Sequence, residues 1–313
     1  MLVYLIKRIL AVIPVMLIVA VIVFLMLRLT PGDPAAIIAG DAATSADIDL
    51  IREKLGLERS LIEQFVLWIG NMLGGDFGES FYYKRSVTSM ISDRIWPTLA
   101  LATFTIVIAC VVAVPLGTLA AYKQGSWIDR TVMGMSVLGF SVPVFVIGYV
   151  LIYVFAVKLD WFPVQGYQPI ADGFGGFIYR LILPSSALSV IFIALIARMT
   201  RTSVLEVLNE DYIRTARAKG LSETKVMTRH ALRNAAVPIV TVIGIAIAVL
   251  ISGVVVTESV FVIPGLGTLT IDAIQGRDYP TVQGLIMLFS FVYVLINLVI
   301  DVIYSLLDPR IRY

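Results

Sequence analysis

Side chains that commonly perform enzyme chemistry are sparse in this 313-residue sequence. It contains one cysteine, Cys110, which lies within an apolar run, and one histidine, His230. These numbers exclude an internal disulfide and multi-cysteine metal sites, and they remove most metal-ligand sets and Ser/His/Asp triads. The sequence also lacks any Gly-Lys dipeptide, and therefore a P-loop of the Gly-x4-Gly-Lys-Ser/Thr type. We predict that the chain is not itself an enzyme and holds neither a metal nor a cofactor.

One stretch, 198–233, combines residue types and spacing that indicate a function. It carries eight basic and four acidic residues. Leu205, Leu208, Tyr212 and Ala216 recur at steps of three or four residues, which predicts an amphipathic helix with a narrow apolar stripe. A glycine, Gly220, should end this helix, and Ser222 can cap a second helix directed toward residue 233.

Two functions fit such a basic helical hairpin. A basic amphipathic segment beside a membrane can lie on anionic lipid, which explains its charge. Lipid contact does not explain why Gly220 interrupts the helix, whereas docking to another protein does. Composition and spacing leave both functions open, and the balanced net charge of +2 gives no reason to expect nucleic-acid binding.

The elements that position this hairpin are predicted to be membrane helices. Hydrophobic residues make up 59% of the chain, charged residues 15%, and the mean hydropathy is +0.93, against about 25% charged residues in soluble domains. A crossing helix needs about 20 largely apolar residues. Six uncharged intervals are long enough: Ile9–Leu27, Ile95–Tyr122, Thr131–Val157, Leu181–Ala197, Asn234–Thr257 and Tyr279–Ile300. We therefore predict an all-α integral membrane protein with six transmembrane helices.

The charges in the connections predict the direction of these helices. Segment 29–94 has ten acidic and six basic residues, whereas 198–233 has the opposite excess. Because basic loops stay in the cytoplasm, we predict that both termini are cytoplasmic. The predicted organisation is an N-terminal cytoplasmic end and first span (1–28), an extracytoplasmic helical segment (29–94) and a five-span core (95–313) containing the cytoplasmic loop 198–233.

The extracytoplasmic segment is too long for an idle loop and carries two helix signatures. Ser60 and Glu63 form a capping-box pattern that opens a helix with Leu61, Phe65, Trp68 and Met72 on one face, ended by Gly74-Gly75. Thr44 and Asp47 open a second helix, with Ile48, Ile51 and Leu55, that stops at Gly56. The segment can be a scaffold on the outer mouth of the bundle or a contact surface for an external partner.

The loop sequence resembles a known family. Glu210-Asp211-Tyr212-Ile213-Arg214-Thr215-Ala216-Arg217-Ala218-Lys219-Gly220, followed by His230-Ala231-Leu232-Arg233-Asn234-Ala235, is similar to the cytoplasmic loop of ABC-importer permeases of the dipeptide/oligopeptide branch. The resemblance covers nearly the whole chain. Other matching pieces, in order, are Leu29-Thr30-Pro31-Gly32-Asp33-Pro34, Gly75-Asp76-Phe77-Gly78, Pro264-Gly265-Leu266-Gly267, Arg277-Asp278-Tyr279-Pro280 and Asp308-Pro309-Arg310.

The chain departs from the general motif of these importers. That motif has Glu-Ala-Ala, three residues, Gly, then nine residues before Ile-x-Leu-Pro, and here only Ala216, Gly220 and Leu232 are retained. The peptide branch departs in a similar way. A role that requires a glutamate at position 214 is therefore not expected.

The resemblance implies a type I importer-like permease fold and a coupling function for the loop. The helix near Gly220 would dock into a groove on a cytoplasmic ATPase subunit, and ATP with Mg would bind on that partner. Further implied partners are a second homologous permease, a second ATPase subunit and an extracytoplasmic solute-binding protein, in the membrane lipid of the bacterial plasma (inner) membrane. The implied coupling residues are Tyr212, Arg214, Ala216, Arg217, Lys219, Gly220, Leu221 and Ser222.

The implied cargo is a dipeptide or oligopeptide, with nickel, glutathione or opine-like solutes as alternatives in the same type of permease. An ion-coupled carrier or channel is a different class, and a membrane-embedded enzyme is a third. Ion coupling usually needs ionisable groups at mid-membrane, and Glu258 is the nearest candidate. We expect Glu258 to have a structural role at the membrane interface. The residues that bind the solute are not identified by the sequence.

Overall fold

The computed structural model describes residues 2–28, 33–39, 43–54 and 56–307. Regular structure in these ranges is helical, apart from one antiparallel bridge between Glu79 and Ser86. Residues 29–32 of the first motif, Leu55, and the final motif 308–310 lie outside the described residues. In chain order the helices are α1 (Leu2–Arg28), α2 (Pro34–Ala39), α3 (Ser45–Lys54), α4 (Leu61–Leu73), α5 (Val87–Tyr122), α6 (Trp127–Ser141), α7 (Val144–Leu151), a π-helix (Ile152–Lys158), a 3-10 turn (Ile170–Asp172), α8 (Phe174–Leu208), α9 (Asp211–Ala218), α10 (Glu223–Lys225), a π-helix (Val226–Ala231), α11 (Leu232–Asn234), α12 (Ala236–Phe261), α13 (Leu266–Gln275) and α14 (Tyr279–Leu307).

Four described helical stretches are long and apolar enough to cross a membrane by themselves. They are Arg8–Met26, Val87–Tyr122, Phe174–Leu208 and Tyr279–Ile303. The number rises to seven if neighbouring shorter helices are combined into spans. The all-helical membrane fold is therefore confirmed, and the count of six spans stays a prediction within this range.

The third predicted interval, Thr131–Val157, is divided in two. The stretches Trp127–Ser141 and Val144–Lys158 meet at an angle of 103°. The reason is Pro143, which lacks an N–H and disfavours helical backbone in the residue before it. Accordingly, Val142 is extended, with φ −96° and ψ 123°.

The fourth predicted interval, Leu181–Ala197, is the centre of a much longer helix. Helix α8 has 35 residues and includes Arg180, Arg198 and Arg201. Bracketing by charged residues shortened the prediction, because long basic side chains can remain in a helix while their charged ends reach polar surroundings. The additional C-terminal turns of α8 carry the chain to the predicted hairpin.

The described chain divides into two compact units, and residues 97–263 with 296–307 form the first. Its core contains fully buried side chains of α8, such as Leu181, Leu188 and Ile196. Glycines permit close helix packing there. A Cβ added at Gly117 would lie 2.5 Å from the Ala197 carbonyl oxygen, so only glycine fits.

The second unit comprises residues 2–96 and 264–295. Helices α1 and α4 pack through aromatic rings, with the Phe24 centroid 5.2 Å from Phe65 and 5.7 Å from Trp68. A second cluster surrounds Val87, Leu269 and Leu285, which are fully buried. The outward side of α1 is apolar and exposed, as a lipid-facing helix requires.

Both helix starts predicted for the extracytoplasmic segment are confirmed. The Ser60 hydroxyl accepts from the Glu63 N–H and the Glu63 carboxylate accepts from the Ser60 N–H, and Gly74 caps the C-terminus of α4. The Thr44 hydroxyl and Asp47 make the corresponding reciprocal bonds at α3. Gly56 follows that helix with a φ of +61°.

Candidate functional site

The hairpin that the sequence predicts to couple to an ATPase comprises residues 209–234 and begins where α8 ends. We call it the coupling hairpin after that prediction. Asn209 caps α8 through its backbone N–H and also donates from its side chain to the Leu205 carbonyl at 3.0 Å. Glu210 is extended, with φ −72° and ψ 146°, and α9 starts at the next residue. The prediction of one helix running from Leu205 to Gly220 was therefore wrong. Asn209 and Glu210 interrupt the helix, so the side chains of α9 do not continue the apolar stripe of α8.

The turn after α9 has the hydrogen bonds of a Schellman motif. The Gly220 N–H donates to the Arg217 carbonyl at 2.9 Å, and the Leu221 N–H donates to the Ala216 carbonyl at 3.3 Å. Gly220 has a φ of +79°, which an L-amino acid adopts only with strain. The predicted helix stop at Gly220 is thus observed. Space beside its Cα is open, so the glycine is required by backbone conformation rather than by packing.

The returning arm starts after Ser222, as predicted, but without the expected side-chain cap. The Ser222 hydroxyl makes no capping bond, and its carbonyl instead accepts from the Val226 N–H at 3.0 Å. The two arms are joined by a forked ion pair, in which the Arg217 Nε lies 2.8 Å and its Nη2 3.3 Å from the two Glu223 oxygens. Both side chains are about 40% exposed, so the pair fixes geometry more than it adds stability.

The burial pattern separates the predicted coupling residues into two groups. In α9 the buried side chains are Ile213 and Ala216, which share the face toward the π-helix Val226–Ala231. The assignment of Tyr212 to the apolar stripe was wrong, because 42% of its surface is exposed; the break at Asn209-Glu210 moves Ile213 into the buried position. The other predicted residues are half-buried at Leu221 and exposed at Arg214, Arg217, Lys219, Gly220 and Ser222.

Ala216 therefore allows close packing within the hairpin, whereas the exposed residues form a surface around the turn. Burial raises the pKa of the Tyr212 phenol, the Glu210 charge acts in the same direction, and a hydrogen bond with Asn234 partly opposes them. The phenol thus stays protonated at neutral pH and can donate or accept a hydrogen bond. This surface combines an aromatic ring with Lys219 and with Arg214, whose Nη1 lies 3.4 Å from the exposed Asp211 carboxylate. The cation at Lys219 next to the turn is suited to an acidic protein surface.

The base of the hairpin is anchored in the first unit by an apolar cluster. Met227, Ala231 and Ala235 are buried with Val204 of α8 and Ala121 of α5. Ile239 of α12 belongs to the same cluster. The base of the hairpin is therefore close-packed against three long helices.

The motif residues 75–78 and 277–280 lie close together in the second unit, where a Cβ added at Gly78 would lie 3.8 Å from the Pro280 Cβ. Asp278, which is 1% exposed, accepts from the hydroxyls of Ser80 and Thr281 at 2.5 and 2.6 Å and from the Phe81 N–H at 3.3 Å. The Asp76 carboxylate accepts from Gly78 in the adjoining turn. Ser80 and Thr281 carried no pattern in the sequence. Among the described residues no group of acidic, histidine or cysteine side chains could hold a metal ion.

Glu258, the candidate for ion coupling, and two serines in the apolar helices have structural partners. Glu258 is fully buried and its carboxylate accepts from the Thr98 hydroxyl at 2.5 Å. The hydroxyls of Ser136 and Ser141 donate to carbonyls of their own helix, at Val132 and Val137. These contacts explain why polar side chains are tolerated in apolar helices.

Family models match both parts of the chain. Residues 113–313 match the model described as binding-protein-dependent transport system inner membrane component, and residues 1–102 match the corresponding N-terminal model. Together the two matches include the helical segment between α1 and α5 and the coupling hairpin.

Curated relatives align over almost their full lengths. A probable peptide ABC transporter permease protein, y4tP, of Sinorhizobium fredii is 51% identical over 311 residues, which is 99% of each chain. The glutathione transport system permease protein GsiC of Escherichia coli strain K12 is 46% identical over 313 residues, the full length of both. A solved structure of the MetNI methionine ABC transporter, in an inward-facing conformation, has a TM-score of 0.59 at 20% identity and covers 70% of this chain and 96% of that one. The last similarity concerns the fold.

Proposed function

The chain belongs to the family of inner-membrane components of binding-protein-dependent transport systems, and we propose that it is the permease subunit of an ATP-driven importer of short peptides. Multi-pass insertion in the inner membrane follows from the family and the apolar helices. Peptide transport is supported by the relatives at 51% and 46% identity, whose names specify a peptide and glutathione, itself a tripeptide. Nickel and opine-like solutes are less favoured, because neither occurs in these names.

We propose that the exposed turn of the coupling hairpin docks on a cytoplasmic ATPase subunit. The observation that supports this proposal is the division between buried and exposed side chains in α9 and the turn. Ile213 and Ala216 pack within the hairpin. Tyr212, Arg214 and Lys219 are exposed beside the Schellman turn. A flat lipid-binding helix does not need this reversal. In this proposal ATP and Mg bind on two ATPase partners. The other partners are a second permease and an extracytoplasmic binding protein.

Charge reversal at the turn tests the docking. Lys219→Glu leaves the buried packing of α9 intact and should weaken association with the ATPase on the order of tenfold, because it places an acid against an acidic surface. Arg229→Glu, an equally exposed charge reversal on the returning arm, is the matched control. The measurement is the amount of ATPase that co-purifies with the chain at graded salt concentrations. Equal recovery for Lys219→Glu and wild type at every salt concentration would contradict the proposed docking surface.

Reconstitution tests the energy source and the cargo. The complete complex, supplied with its binding protein and ATP in liposomes, should accumulate labelled di- to pentapeptides or glutathione. The chain alone, without ATPase subunits, should accumulate none under a proton or sodium gradient. Gradient-driven uptake by the chain alone would instead identify an ion-coupled carrier.

A further inference from the structure

A partly buried ion pair connects the first turn of α6 with the C-terminal part of α8. Arg201 donates from Nε to Asp129 Oδ1 at 2.5 Å and from Nη2 to Oδ2 at 2.7 Å. The Asp129 side chain is 5% exposed and the Arg201 side chain 23%. A two-point fork of this kind fixes both distance and orientation, unlike a single contact between charges.

Asp129 also organises the turn that precedes α6. Its Oδ2 accepts from the Gly125 N–H at 2.9 Å, and its own N–H is capped by the Ser126 hydroxyl at 3.5 Å. One carboxylate therefore joins the α5–α6 turn, the start of α6 and the side of α8. Taking two charges out of water is costly, so such a pair is better explained by the geometry it imposes than by stability.

The position of the pair relates it to the coupling hairpin. Arg201 precedes the end of α8 at Leu208 by seven residues, which is roughly 10 Å along a helix. The apolar cluster at the base of the hairpin includes residues of α5, α8 and α12, and within the described part of the chain it includes no residue of α6. The Asp129–Arg201 pair supplies a polar contact between α6 and α8 at that level.

Closer to the membrane, α6 and α8 are in tight contact. A Cβ added at Gly139 would lie 3.2 Å from the Ala194 Cβ, and Ser136 is buried on the same side of α6. Helix α6 then ends at the 103° bend that leads to α7. A displacement applied to the cytoplasmic end of α6 would therefore reach α7 through a packed and sharply bent segment.

We propose that Asp129 and Arg201 are positioning residues that make α6 move with α8 when the coupling hairpin is displaced. This inference rests on the proposed docking of the hairpin to an ATPase. The pair touches neither solute nor nucleotide. Its function is to convert a displacement of α8 into a displacement of α6 and α7, so that hydrolysis on the partner is matched by movement of the spans.

The test uses the complete importer in liposomes, with solute uptake and ATP hydrolysis measured in the same sample. Asp129→Asn removes the charge while retaining an acceptor for Gly125, and Arg201→Lys retains the charge without the fork. Both variants should assemble with the ATPase and hydrolyse ATP, while solute transported per ATP falls about fivefold or more. Asp93→Asn, which breaks the exposed Arg85–Asp93 pair in the second unit, is the matched control and should leave this ratio unchanged.

A reversible cross-link separates positioning from a general loss of folding. In a Cys110→Ala background, the double variant Asp129→Cys with Arg201→Cys should transport little solute per ATP. A short bis-methanethiosulfonate, which links the two cysteines, should raise the solute transported per ATP. Addition of a reductant, which removes the link, should lower it again. An unchanged ratio in Asp129→Asn, or reduced assembly with a normal ratio in the complexes that remain, would overturn the inference. Failure of the wild-type hairpin to bind ATPase would instead contradict the proposed function, and co-purification reports that outcome independently.

Discussion

At the scale of single residues, Gly220 determines the reversal of the coupling hairpin, because few residue types adopt its φ of +79° without strain. Ala216 contributes through packing, since its side chain is buried within the hairpin. Burial of one small residue depends on the phase of the helix around it, and sequence spacing does not determine that phase once a helix is interrupted.

Substitution of Gly220 should therefore affect docking through the backbone. Gly220→Ala adds a side chain in open space but at a φ of +79°, which costs about 1 kcal/mol. We expect a decrease of roughly fivefold in ATPase co-purification. Gly75→Ala, at a φ of +84° in open space after α4, is the control and should leave co-purification unchanged. The same loss in both variants would show that the hairpin turn has no special role.

The capping bonds at α3 make a prediction about pH. Hydrogen bonds from the Thr44 hydroxyl and then from its N–H lower the pKa of Asp47 below its usual 3.8. Because the folded-state pKa is depressed, this stabilisation is complete above about pH 4 and is lost as the pH falls through the lower, folded-state value. Amide hydrogen exchange in the first turn of α3 should accelerate in that acidic range, after correction for intrinsic rates. Asp47→Asn, which cannot titrate, should remove the acceleration; persistence of the acceleration in this variant would exclude Asp47 as its cause.

At the scale of helices, the sequence predicted the elements that have local end signals and missed those decided by longer-range packing. The capping boxes at Ser60 and Thr44 identified α4 and α3 because both partners lie within one helical turn. The break at Asn209-Glu210 has no comparable signal, since apolar spacing continues across it. The length of α8 was underestimated because charged residues were treated as helix ends.

After the break between α8 and α9, Ile213 is buried and its neighbour Tyr212 is exposed. Substitutions at the two positions should therefore distinguish folding of the hairpin from its docking. Ile213 is fully buried, so Ile213→Ala should destabilise the hairpin by about 2–4 kcal/mol and increase hydrogen exchange throughout α9. Tyr212→Ala removes a side chain that is 42% exposed and loses only its hydrogen bond with Asn234, so it should increase exchange in the free chain far less than Ile213→Ala does while weakening ATPase binding. If Tyr212→Ala instead increases exchange in α9 as much as Ile213→Ala does, the exposed ring contributes to folding rather than to docking.

At the scale of the whole molecule, composition was sufficient to predict a helical membrane protein, because an apolar excess of this size cannot be buried in a soluble core. The number of crossings was harder to predict. The bend at Pro143 divides one apolar interval, and such broken helices become stable only when neighbouring helices satisfy the freed backbone groups. Charge asymmetry supports the orientation, but it acts during insertion and leaves no contact in the folded chain.

The orientation can be measured by labelling single cysteines. In a Cys110→Ala background, Glu58→Cys lies in the extracytoplasmic segment and Lys219→Cys in the coupling hairpin, and both positions are exposed. A membrane-impermeant maleimide added to intact spheroplasts should label position 58 and not position 219, because the basic hairpin is retained on the cytoplasmic side. Permeabilised cells should label both, which controls for reactivity. Labelling of position 219 in intact spheroplasts would place the hairpin outside, where it could not reach a cytoplasmic ATPase.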